Sequence, residues 1–70
     1  MKQVIAGMAG NVWKILFEEG DGVEAGEDVI ILESMKMEIT VQADTDGTVK
    51  EIKVNEGDFV NQGDVLLELE

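Results

Sequence analysis

The sequence predicts an all-β fold, a flattened β-sandwich or barrel of two four-stranded antiparallel sheets with an internal pseudo-twofold repeat. Three observations predict it. Val, Ile and Leu recur in short clusters, proline is absent, and eight glycines fall at turn positions, which is the pattern of short strands with tight connections. Aligned with itself at an offset of 37 residues, without a gap, the chain pairs residues 4–33 with 41–70 at twelve identities. Finally, the clusters are too short and too β-branched for stable helices.

The elements follow in order within each copy. The halves are Lys2 to Glu33 and Glu38 to Glu70, and each predicts a strand, a glycine turn and then a longer strand. That longer strand holds Val12, Ile15 and Phe17 in the first half, and Val49, Ile52 and Val54 in the second. Val12 with Ile15 and Val49 with Ile52 lie three apart instead of two, so a bulge or strong curvature is expected there. A Glu-Gly-Asp turn follows, at Glu19-Gly20-Asp21 and Glu56-Gly57-Asp58. One inward valine comes next, Val23 or Val60, then a second glycine turn at Gly26 or Gly63, and a closing strand. Glycine at these points supplies backbone angles that tight turns require. A phosphate-binding loop is the competing reading of the glycines, but no Gly-Lys-Ser/Thr follows and no helix is predicted to point at a ligand.

Seventy residues leave room for one domain, residues 1–70, whose core must be simple. Without cysteine or histidine it has no disulfide framework and no zinc site, so packed apolar residues must stabilise it. The same absences remove the commonest general base, and self-contained catalysis is not expected. Sixteen acidic residues against five basic ones give a formal charge of −11, which excludes nucleic-acid binding and docking on an anionic membrane. Such a charge favours a monomer and steers encounters with proteins that present basic clefts. The longest strongly apolar run, Val29 to Leu32, is far too short to span a bilayer, and no signal peptide is visible, so a cytoplasmic protein is expected. Asp44 and Asp46 form a compact acidic pair, but the spacing does not fit an EF-hand loop and no metal site is expected. Trp13, on a face of the curved strand, is a candidate docking patch.

Ser34, Met35, Lys36 and Met37 are all that separates the two copies, and they must form a hairpin turn. Short hairpins favour Asn-Gly, Asp-Gly or Gly-X, because their central residues often need positive φ. A turn built from Met and Lys breaks that local rule, and such breaks mark sites chosen for function over easy folding. The competing reading is an ordinary solvated lysine flanked by gap-filling methionines.

Glu33-Ser34-Met35-Lys36-Met37-Glu38 resembles the Glu-Ala-Met-Lys-Met signature of biotinyl carrier domains. The family's two Gly-Asp-x-Val-x-x-Gly turns are matched at Gly20 to Gly26 and Gly57 to Gly63, so the resemblance covers essentially the whole chain. It implies that Lys36 carries covalent biotin, that Met35 and Met37 are read by a biotin protein ligase, and that Glu33 and Ser34 flank the site. Ser34 departs from the usual alanine. The implied role is biotin carboxyl carrier, in which an activated carboxyl group passes from a biotin carboxylase to a carboxyltransferase on the biotin arm. Lipoyl domains share the resemblance, with lipoate as the alternative cofactor, but their lysine typically follows aspartate, where Met35 stands here. The plan is similar to single-domain biotin/lipoyl attachment proteins. Carboxyl carriers with an inserted thumb are a poorer match, because the gapless repeat leaves no room for one. A free-standing carrier is expected, with an unmodified acidic interaction module as the remaining alternative.

Overall fold

The repeat dictates eight strands, and the structure, a computed structural model describing residues 2–70, contains them. They are β1 (Lys2–Ile5), β2 (Gly10–Ile15), β3 (Gly22–Val23), β4 (Asp28–Ser34), β5 (Met37–Gln42), β6 (Gly47–Ile52), β7 (Phe59–Val60) and β8 (Val65–Leu69). One antiparallel sheet has the order β1-β8-β6-β3 and the other β5-β4-β2-β7. Shifting each label by one half of the repeat converts the first order into the second. The pseudo-twofold therefore exchanges the sheets, and neither half can bury its apolar face without the other.

Between the sheets the core is assembled from equivalent pairs: Ala6 and Ala43, Val12 and Val49, Val23 and Val60, Val29 and Leu66, Ile30 and Leu67, Leu32 and Leu69, all buried. The expected bulges are present. Register shifts between Val12 and Lys14 where β2 meets β4, and between Val49 and Glu51 where β6 meets β8. The extra residue turns Trp13 outward, 44% exposed, with the Lys14 ammonium 5.2 Å from its ring centre.

Phe17 and Val54 do not belong to the strands in which the sequence places them. β2 ends at Ile15 and β6 at Ile52. After Leu16 donates to the Val29 carbonyl, at 2.9 Å, the backbone enters the turn that Asp21 closes by donating its N–H to the Glu18 carbonyl at 3.0 Å. The two side chains still pack against the core from outside the ladder.

The turns explain much of the acidity. The Asp21 and Asp58 carboxylates accept from the Glu18 and Asn55 N–H groups, both at 2.8 Å, and Glu27 and Asp64 accept from Glu24 and Asn61 at 2.7 and 2.8 Å. Glu56 accepts from the Ile15 N–H at 3.0 Å and Glu19 from Ile52 at 3.1 Å, pinning each turn to the opposite half. Gly20, Gly26, Gly57 and Gly63 take φ between 89° and 97°, the left-handed angles these turns demand. Asp21→Ala and Asp58→Ala each remove one charge-assisted bond and are expected to cost about 1–2 kcal/mol. Urea titration of the single variants checks this, and equal midpoint shifts are expected because the two turns are equivalent.

In a body measuring 32 × 19 × 18 Å, the Lys2–Leu69 pair, where β1 begins and β8 ends, lies away from the turn between β4 and β5. Val23 pairs with Gly47, beside Leu69 and Glu70, and the chain then enters β4 at Asp28, the end remote from the hairpin turn. The turn joining the halves is thus presented at the end away from Lys2 and Leu69. Among the described residues no helix is long and apolar enough to cross a membrane.

Candidate functional site

The turn is tighter than the four-residue connection in the sequence suggests. β4 runs through Ser34 and β5 starts at Met37, with Ser34 opposite Met37, Glu33 opposite Glu38 and Leu32 opposite Ile39. Only Met35 and Lys36 make the turn. A two-residue hairpin whose loop matches strand twist needs positive φ at both positions, and Met35 and Lys36 take 51° and 65°. They are the only non-glycine residues with positive φ among those described. Each side chain held there costs about 1–2 kcal/mol relative to an unstrained backbone.

That strain has no compensation in packing. Met35 is 92% exposed and Met37 65% exposed, the two most exposed large apolar side chains described. Lys36 is exposed too, and no hydrogen bond or ion pair to a described residue holds its ammonium, although Glu33 and Glu38 lie one row behind the turn. All five residues predicted to form the site, Glu33, Ser34, Met35, Lys36 and Met37, therefore lie together on the hairpin. The hairpin's base is firm: Gly10 sits so close that an added Cβ would stand 3.0 Å from the Glu33 carbonyl oxygen, and β2 abuts β4 there because that Cβ is missing.

The chemistry available is that of a primary amine on a four-carbon stem, exposed and without a hydrogen bond or ion pair to any described residue. It fits a group joined through an amide, since acylation requires an accessible amine and room for an attaching enzyme on all sides. Among the described residues, no group of three His, Cys, Asp or Glu side chains converges to hold a metal ion. Asp46, one of the acidic pair, accepts from the Ala25 N–H at 2.7 Å and so ties the second glycine turn to the loop before β6, at the end away from Lys36. Sequence reasoning missed this structural use of Asp46, whose equivalent in the first half is Ala9.

Comparisons with known proteins agree with this geometry. The chain is 64% identical over 62 residues to the Biotin/lipoyl attachment protein of Bacillus subtilis (strain 168), covering 89% of this chain and 85% of that protein. The crystal structure of the Kluyveromyces lactis urea carboxylase superposes with a TM-score of 0.91 at 38% identity, over 99% of this chain and 6% of that enzyme. The solution structure of the lipoyl domain of the 2-oxoglutarate dehydrogenase complex from Azotobacter vinelandii superposes with a TM-score of 0.73 at 34% identity, over 89% of this chain and 78% of that domain. Residues 2–69 match the family described as "Biotin-requiring enzyme", and with its duplicated turns, interlocked sheets and lysine-tipped hairpin the chain belongs to that family.

Proposed function

We propose that the chain is a biotin carboxyl carrier, with biotin in amide linkage to Lys36. One observation carries this reading: the sole non-glycine residues with positive φ among those described are Met35 and Lys36, so strain is concentrated where an exposed lysine with no partner among the described residues is displayed. The Lys36 amine attacks the carboxyl carbon of biotin activated by a biotin protein ligase; the C–N bond forms, the activating group leaves, and the lysine charge is lost. Met35 and Met37 give the ligase apolar contacts on either side of that amine. When bound, the cofactor supplies a ureido nitrogen able to carry an activated carboxyl group.

The protein's own part is positional. The hairpin holds the Lys36 stem outside the body, where it enters first a biotin carboxylase and then a carboxyltransferase, and the −11 charge favours partners with basic clefts. The absence of histidine and cysteine leaves the acid, base and nucleophile to those partners. Lipoate is the second reading, supported by the likeness to a lipoyl domain at a TM-score of 0.73. Methionine on both sides of Lys36 favours biotin over it.

Peptide and intact-mass spectrometry of the protein made alongside active biotin and lipoyl ligases tests the assignment. Biotin on Lys36, and no modification of Lys36→Arg, is the expected result. Lipoate alone would establish the second reading, and an unmodified Lys36 despite active ligases would overturn both.

A further inference from the structure

Alternation along β5 puts Met37, Ile39 and Val41 on one face of the strand. Ile39 and Val41 are half-buried and, with Ile5, Met8, Leu32 and the polar Gln42, line a largely apolar groove of about 370 Å³ that opens to solvent. Leu32 and Ile39 face each other across the hairpin, two rows behind the Ser34–Met37 pair. The groove thus starts about 7 Å from the turn, at ~3.4 Å per residue. Met37, 65% exposed, continues its apolar wall toward Lys36.

The fold does not require this wall to be apolar. At the offset of 37 residues, the positions of Met8 and Ile39 are taken by Thr45 and Lys2, whereas core positions such as Leu32 and Leu69 stay apolar in both halves. The two halves thus share their core, while Met8 and Ile39 make the groove next to the hairpin more apolar than its counterpart. Ile5 is 47% exposed and Met8 37% exposed, apolar area that an occupant of the groove would remove from water.

We propose that the groove is the resting site of the acyl arm carried on Lys36, with Met37 as the bridge and Met8 and Ile39 as the facing walls. The inference rests on attachment at Lys36. Biotin and lipoate share the chemistry it recognises, a saturated acyl chain ending in a sulfur-containing ring. A lysine stem and acyl chain in series fold back over the two rows to Ile39, and flexible methionines on both sides adapt to the chain. Resting there removes the arm from water between visits to partner sites.

Methyl NMR on the full chain tests this, comparing the apo, biotinylated and lipoylated forms after intact mass has verified modification. The Met8 and Ile39 methyl signals are expected to shift together with Met37 in both modified forms. Met8→Thr, which installs the residue found at the equivalent Thr45 position, is expected to return Ile39 to its apo frequency while the modification stays complete and the Leu66 and Leu69 methyls do not move. Shifts confined to Met35 and Met37 in the modified forms overturn the groove assignment. Shifts of Met8 and Ile39 in only one form overturn it as a site for the shared acyl chain. An unmodified Lys36 in the mass spectrum instead overturns the attachment itself, so the two failures are distinguishable.

Discussion

Met35→Asn combined with Lys36→Gly is expected to stabilise the domain by about 1–2 kcal/mol while abolishing covalent modification. Both replaced residues hold positive φ, at 51° and 65°, and neither packs against anything that would offset the strain. Asn-Gly is the pair that such a turn favours, because Asn tolerates the left-handed region and Gly has no Cβ to clash. The gain corresponds to a rise in melting temperature of about 4–8 °C per kcal/mol for a domain of this size. Lys36→Ala is the control: it removes the amine but keeps a Cβ at positive φ, so its melting temperature should stay close to that of the parent. Thermal unfolding and intact mass on the three proteins decide the matter. An Asn-Gly variant no more stable than the parent would mean that the hairpin is not a site where stability has been exchanged for function.

The contrast between buried pairs and the exposed turn governs which parts of the molecule are legible in its sequence. Core pairs such as Val12 with Val49 and Leu32 with Leu69 are legible because burial constrains both copies alike, and identity at a fixed offset is the record of that constraint. The bulges are legible for the same reason, since Val12 with Ile15 and Val49 with Ile52 break the two-residue period at matching places. Lys36 is legible because it lies where the repeat stops and turn chemistry is violated. The carboxylate partners are not. Asp46 reaches the Ala25 N–H, and its equivalent in the first half is Ala9, so no repetition signals the contact. The ends of β2 and β6 are equally hidden, because Phe17 and Val54 remain apolar after the backbone has left the ladder. The groove is invisible until the edge strands are placed, since Ile5 and Met8 come from the first copy and Ile39 and Val41 from the second.

Leu32→Ala and Leu69→Ala are the substitutions expected to damage the protein most. Both leucines are completely buried and occupy equivalent places in the two sheets, so each truncation leaves a cavity that the surrounding strands fill only in part. Buried Leu→Ala changes cost about 2–5 kcal/mol. A domain of 70 residues has roughly 4–10 kcal/mol in total, so either change removes a large share of it. Because the pseudo-twofold interlocks the sheets, the damage cannot remain in one half, and the denaturant midpoints of the two variants should fall by similar amounts in single transitions. Their positions relative to the tip make the pair informative about function as well. Leu32 faces Ile39 just behind the hairpin, whereas Leu69 pairs with Lys2 at the far end. If a ligase reads the hairpin only in the folded domain, Leu69→Ala lowers the extent of modification in step with its unfolded fraction, as Leu32→Ala does. Full modification of a largely unfolded Leu69→Ala protein would show instead that the linear sequence around Lys36 suffices, and that the strained turn serves a later step than attachment.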